Sequence, residues 1–145
     1  MNRRQIALKL ILDELKLDPP MNIDDLLKLQ WSIYITQTIL TTLGYSYEWS
    51  PKGPLSYNLQ NDSLKLVKTT FPATWALDDH TKQKLQDAKK FLDKVTDNPE
   101  ELRKFASVLF VKNTGQGTTP EEIVKCLAVA GYNLDVDCVR EILGN

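Results

Sequence analysis

Leu43-Gly44-Tyr45-Ser46-Tyr47-Glu48-Trp49-Ser50-Pro51-Lys52-Gly53-Pro54-Leu55-Ser56 separates two helical patterns, and the architecture turns on how it is read. Gly44 follows a long apolar run and suits the left-handed residue that closes a helix. Tyr45, Tyr47 and Trp49 alternate with polar residues, the period-two pattern of one short, half-buried strand. Gly53-Pro54 breaks that strand. Pro54 is expected at the first position of the next helix, where its preset φ helps and its missing N–H costs nothing. The unit reads as helix, aromatic strand, Gly-Pro elbow, helix.

Upstream, residues 24–43 predict a central helix. Leu26, Leu27, Leu29, Trp31, Ile33, Ile35, Ile39, Leu40 and Leu43 spread around most of its circumference, the pattern of a helix buried on most sides. Gln30, Tyr34, Gln37 and Thr41 form one polar line along it, at steps of four, three and four. Four hydrogen-bonding side chains on a buried helix require partners. They either fix the Gly53–Ser56 turn or line a groove for a peptide. Residues 3–16 predict an earlier helix with Ile6, Leu8, Leu10, Ile11 and Leu15 on one side, ended by Asp18-Pro19-Pro20.

Downstream, residues 54–67 predict a helix burying Leu55, Leu59 and Leu66, with Asn61-Asp62-Ser63 competing for its backbone bonds. Thr69 to Leu77 reads as irregular, with Phe71, Trp75 and Leu77 covering the core and Pro72 arguing against a central strand. Asp78 or Asp79 caps a helix to about Thr96, striped by Leu85, Ala88, Phe91, Leu92 and Val95. Asn98-Pro99-Glu100-Glu101 opens the next, combining a cap, a proline and carboxylates at the positive end of the helix dipole. That helix buries Leu102, Phe105, Ala106 and Leu109 and ends before Gly115. Thr119-Pro120-Glu121-Glu122 repeats the device with capping-box spacing, and the helix it starts stops at Gly131. A last helix over 136–143 carries Val136, Val139, Ile142 and Leu143. The fold expected is mainly α: one compact multi-helix domain spanning 1–145, winged-helix-like, with one or two short strands. Residues 23–67 form its core unit and 98–143 its C-terminal helical part.

Composition bounds what this domain does. The 145 residues are enough to bury a real core, and 42% apolar with 26% charged residues is ordinary for a globular protein. The net charge of −1 supplies no global field for nucleic acid or an anionic membrane. Cys126 and Cys138 lack Cys-x-x-Cys spacing and fit a reducing compartment. Met1-Asn2-Arg3-Arg4 is basic, but Lys9, Asp13, Glu14 and Lys16 interrupt the apolar stretch after it, unlike a signal peptide. No run reaches the ~18 apolar residues of a membrane span. A cytoplasmic protein is expected.

Leu27-Lys28-Leu29-Gln30, the aromatic segment 43–49, Gly53-Pro54-Leu55-Ser56 and Leu59-x-x-Asp62 together resemble the YwgA-like uncharacterised proteins and, more distantly, the Panacea (SocA-type) antitoxin domain. The family pattern runs as an "LQK" helix, a strand of alternating aromatics, "GPYS" and "L-x-x-D". Residues 102–143, a helix, a short polar loop and two brief helices that open on Thr119-Pro120-Glu121-Glu122-Ile123, are similar too. Trp31 stands where the family has a basic residue, and Leu55 where it has tyrosine. The family's members occur in bacteria, archaea and mobile elements, and Panacea domains act mainly as protein-binding antitoxins. The resemblance implies a binding module and no reaction.

The chemistry of single residues agrees with that implication. His80, the lone histidine, sits at a helix start; a catalytic base needs a nucleophile within hydrogen-bond range, and the residue reads instead as an exposed first-turn side chain. One histidine and two cysteines do not make a zinc set, so no metal and no cofactor is expected. Asn113–Thr119 imitates a phosphate loop but lacks its Gly-Lys-Ser/Thr ending, and Glu121-Glu122 repels anions. Lys82, Lys84, Lys89, Lys90 and Lys94 read as a solvated face. The final helix pair imitates a helix-turn-helix, yet carries Asp135, Asp137 and Glu141 against Arg140 alone, which disfavours DNA. The function expected is a non-enzymatic adaptor or antitoxin-like module with a protein partner. A winged-helix-like nucleic-acid-binding regulator is the alternative. The expected partner-binding residues are Gln30, Trp31, Tyr34, Gln37, Tyr47, Trp49, Lys52, Gly53, Pro54 and Ser56, because aromatic side chains anchor interfaces and the Gly-Pro elbow presents them.

Overall fold

The computed structural model describes residues 3–40, 43–66, 76–95 and 98–144. Its elements are α1 (Arg3–Leu15), α2 (Ile23–Ile39), β1 (Glu48–Ser50), β2 (Gly53–Leu55), α3 (Tyr57–Leu66), α4 (Asp79–Val95), α5 (Pro99–Asn113), α6 (Pro120–Val129) and α7 (Val136–Leu143). The fold is mainly helical with one two-stranded antiparallel sheet, as expected. Thr41, Phe71, Pro72, Trp75 and Thr96 lie outside the described residues.

α1 buries Ile6, Leu8, Ile11, Leu12 and Leu15. It is closed by Lys16, held at φ 58°, and by the Leu17 N–H, which donates to the Leu12 carbonyl at 2.9 Å. That is a Schellman-type ending with lysine in the left-handed position. Pro19-Pro20 therefore follows the end of the helix and does not cause it. α2 starts on Asn22, whose side chain accepts the Asp25 N–H at 2.8 Å. Every residue from Leu29 to Thr36 is buried, which is what an apolar pattern around the whole circumference predicts.

α2 ends at Ile39, four residues short of the expected Leu43. The Thr36 hydroxyl donates to Ser32 O and the Thr38 hydroxyl to Ile35 O, so β-branched threonines crowd the last turns and engage their carbonyls. Leu40 takes extended backbone. Gly44 is left-handed at φ 61°, but beyond the helix and not at its cap.

The larger correction is the elbow. Gly53-Pro54-Leu55 is a strand, not the start of a helix. It pairs antiparallel with β1 in the register Glu48↔Leu55, Trp49↔Pro54, Ser50↔Gly53. The turn between them is Pro51-Lys52, stabilised by the Ser50 hydroxyl, which accepts from Lys52 N–H at 3.1 Å and donates to Gly53 O at 2.7 Å. Pro51, not Pro54, supplies the preset φ that starts the turn. Gly53 sits at φ +112°, a conformation L side chains avoid. α3 then begins at Tyr57 with Ser56 as its cap, the Leu59 N–H reaching Ser56 Oγ at 3.3 Å. Tyr45 and Tyr47 precede β1 as irregular backbone.

The C-terminal helices follow their caps. Asn98, Thr119 and Asp135 accept the N–H of Glu101, Glu122 and Cys138. The Glu122 carboxylate accepts from the Thr119 hydroxyl at 3.0 Å, a closer tie than the backbone contact a capping box implies. α6 ends on Gly131 at φ 89°, with Tyr132 N–H donating to Leu127 O at 2.8 Å.

Two apolar clusters result. The larger joins α1, α2, α3, α4 and the first half of α5 around Leu8, Ile11, Ile33, Leu59, Leu85 and Leu102. The smaller joins the second half of α5 to α6 and α7 around Val108, Ile123, Leu127 and Val139. α5 runs through both, and the hairpin lies against α2 and α5. No described helix is long and apolar enough to cross a membrane.

Candidate functional site

The polar line of α2 is used inward. The Gln30 amide makes two hydrogen bonds to one residue: Nε2 donates to Ser56 O at 2.8 Å, and Oε1 accepts from Ser56 N–H at 2.9 Å. Gln37 does the same to Tyr45, through Nε2 to Tyr45 O at 2.9 Å and Tyr45 N–H to Oε1 at 3.2 Å. Each glutamine acts as a one-residue strand partner and satisfies a donor and an acceptor that would otherwise be stranded. The spacing of seven puts both amides on one face of α2. Segment 45–56 is thereby fixed to that helix at both ends. Of the two outcomes open in the sequence, Gln30 meets the first by bonding the Gly53–Ser56 turn, whereas Gln37 holds Tyr45 at the other end of the segment.

The aromatic residues close the space between. The Tyr47 hydroxyl donates to Gln30 O at 2.7 Å, and its ring meets Tyr34 edge-on at 4.8 Å. Burial, and then the neighbouring phenols, push the Tyr47 hydroxyl well above the usual phenol range; burial also raises Tyr34. Both stay protonated and serve as hydrogen-bonding core residues.

Beside this lies a cluster that sequence reading missed. Asp62 on α3 is 3% exposed. Its carboxylate accepts from Arg4 Nε at 3.0 Å, Gln5 Nε2 at 3.0 Å and Tyr45 OH at 2.8 Å. Burial works against its charge, but the hydrogen bonds from Gln5, Tyr45 and Arg4 and the charge of Arg4 outweigh it, so the carboxyl titrates below its usual range. The Arg4 guanidinium also lies 4.9 Å from the Tyr45 ring centre. The available signals were Asp62 at an inward helical spacing beside Leu59 and Leu66 and its place in Leu59-x-x-Asp62; its partners, 57 and 58 residues away on α1, carried none.

The expected binding residues thus divide. Gln30, Trp31, Tyr34, Gly53, Pro54 and Ser56 are buried, and Gln37 and Tyr47 are partly buried, so most of the expected surface is interior. Trp31, expected as an interface anchor, is 5% exposed and lies in the larger cluster. Lys52 is exposed at the hairpin tip, and Trp49 is half-buried with its ring 6.1 Å from Phe110. Trp49 stands between two open cavities. One, of about 200 Å³, is walled by Phe110, Val111, Leu127, Val129 and Ala130. The other, of about 190 Å³, is walled by Glu48, Leu55, Tyr57 and Gln60. At their rims Val129 is 91% and Tyr57 80% exposed. Neither rim residue stands out in sequence, since both occupy ordinary helical positions.

Elsewhere the single-residue readings find their places. His80 is exposed in the first turn of α4, where Asp78 accepts the Thr81 N–H at 2.7 Å. Cys126 and Cys138 are free, and burial raises the Cys138 thiol. Gly117 packs on the first turn of α6, where a Cβ would lie 3.2 Å from Ile123 N, so the loop itself covers that helix start. Among the described residues no group of three His, Cys, Asp or Glu side chains is placed to hold a metal ion. No family model, curated protein or solved structure matches this chain.

Proposed function

We propose that this chain is a non-enzymatic protein-binding module that docks its partner over Trp49. The observation that carries the reading is the half-buried indole between two open cavities, with Val129 and Tyr57 exposed beside it. Tryptophan and tyrosine are residue types that concentrate binding energy, and exposed apolar surface rimmed by polar groups marks interaction sites. Polar groups at the cavities are supplied by Glu48, Gln60 and Gln116, and Lys52 is exposed at the hairpin tip. The glutamine clamps on Tyr45 and Ser56 lower the ordering cost of binding, because the presenting hairpin is already fixed. The resemblance to YwgA-like proteins and Panacea antitoxins supports the same class, an adaptor or antitoxin-like protein of the cytoplasm, linked to a mobile element or defence system.

The nucleic-acid reading, with its winged-helix-like arrangement, has less support. The chain carries −1 overall, and α7 presents Asp137 and Glu141 beside Arg140.

Affinity purification from the native cell, with nuclease treatment, is the test. A stoichiometric protein partner is expected that survives nuclease, is lost with Trp49→Ala, and is weakened at least tenfold by Tyr57→Ala or Val129→Asp. The latter two residues are exposed enough to leave the fold intact. Retention of the partner by all three variants, or recovery of nucleic acid alone, contradicts the reading.

A further inference from the structure

Three buried side-chain polar atoms among the described residues have no hydrogen-bond partner: Trp31 Nε1, Arg103 Nε and Ser107 Oγ. They belong to one place. A Cβ on Gly53 would lie 3.3 Å from Trp31 Nε1, 3.5 Å from Ser107 Oγ and 3.7 Å from Arg103 Cγ. Trp31 Nε1 and Ser107 Oγ therefore face the bare side of Gly53, and Arg103 approaches it with Cγ, two bonds from its unpaired Nε; two of the residues come from α5 and one from α2, under the hairpin.

Their chemistry is one-sided. The indole and the guanidinium nitrogens donate only, and the hydroxyl brings a third donor. The Ser107 hydroxyl has acceptor lone pairs, yet it bonds neither nitrogen, so the indole and guanidinium N–H groups are left without an acceptor. Arg103 adds charge. Its Nη2 donates to Pro51 O at 3.1 Å and its guanidinium lies 4.2 Å from the Tyr132 ring centre, yet it forms no ion pair among the described residues. The nearby Glu100 carboxylate accepts from the Tyr132 hydroxyl instead. Buried donors are satisfied as a rule, by protein or by a bound small species.

We propose that a single small hydrogen-bond acceptor, a water molecule or a chloride-sized anion, binds beneath the hairpin between Trp31 Nε1–H, Arg103 Nε–H and Ser107 Oγ–H. Burial argues for a small species: Trp31 is 5% and Ser107 0% exposed, and Arg103 is half-buried. The ligand joins α2, α5 and β2 and completes the seat of the hairpin on its α5 side. Glycine is required at residue 53 because a side chain would enter the same space. The site is separate from the Trp49 surface and stands whether or not that surface binds a protein.

Crystals of the full chain grown in bromide test it. An anomalous peak within hydrogen-bond distance of at least two of the three atoms identifies an anion; a non-anomalous solvent peak there identifies water. Either supports the site. In solution, the Trp31 indole N–H resonance is expected to shift with Ser107→Ala and to be unmoved by Ser46→Ala, an exposed control. For the anion it also shifts with added halide; for water it shows an exchange cross-peak to a long-lived bound water. Electron density containing neither species overturns the proposal.

Discussion

The two apolar clusters hold together differently. Around the larger one, buried polar side chains recur: Gln5, Gln30, Ser32, Thr36, Asp62 and Ser63, with the Gln30 and Asp62 networks reaching across elements far apart in sequence. The smaller cluster has an interior of Val108, Ile123, Leu127, Val139 and Ile142, and its polar side chains act mainly at helix ends. Apolar packing is tolerant of small volume changes, whereas a buried polar network is sensitive to the loss of any one member. The N-terminal part is thus specified by pairing and the C-terminal part by volume and caps. The hairpin sits where they meet, clamped on its α2 side by Gln30 and resting on α5 near Arg103 and Ser107.

Breaking the pairing should cost most. Asp62→Ala leaves Arg4, Gln5 and the Tyr45 hydroxyl without their acceptor and is expected to lower unfolding free energy by about 4 kcal/mol, read by urea denaturation. The same pairing fixes a pH window. The Asp62 carboxyl titrates lower folded than unfolded, so its contribution is present above an unfolded value of about 3.9 and is lost as pH falls through the folded one. Burial and the Asp62 bond raise Tyr45, so its contribution is present below about pH 10 and is lost as pH rises through its folded value. Asp62→Asn should flatten the acid limb of stability against pH; an unchanged limb would assign acid unfolding elsewhere. Gln30→Ala strands the Ser56 N–H and carbonyl and should cost about 2.5 kcal/mol.

In the C-terminal part the effects should be smaller. Ile123→Val removes one methylene at a fully buried position and should cost about 1 kcal/mol by the same denaturation measurement. Thr119→Ala removes a cap and should cost about 0.7 kcal/mol. If Ile123→Val proved costlier than Gln30→Ala, the contrast between the two parts would be wrong.

The same contrast explains what could be read from sequence. Asn98, Thr119 and Gly131 mark helix ends through contacts within a few residues, and those ends are where the spacing predicted them. The paired role of Gly53-Pro54 was hidden because Pro51 and Pro54 both offer a preset φ, and only the Ser50 hydroxyl, bonded to Lys52 and Gly53, selects the first as the turn. The early end of α2 depends on threonine hydroxyls bonding their own helix, a choice that alternation and spacing do not record. The Asp62 cluster joins residues on two helices and the irregular segment before β1, and no local period encodes it. Of the candidate surface, Trp49 was legible as a half-buried aromatic; Tyr57 became visible only with α3 placed beside the hairpin, and Val129 only with α6 placed across a cavity from Trp49.

The central claim is that Gln30, by bonding both backbone groups of Ser56, fixes the hairpin that presents Trp49. Native-state hydrogen exchange of the Ser56 amide in the wild type and in Gln30→Ala measures this directly. The account predicts a Ser56 amide protected in the wild type and released by roughly a hundredfold or more in the variant, with the Ile123 amide in α6 affected far less. Equal protection of Ser56 in both proteins would contradict it.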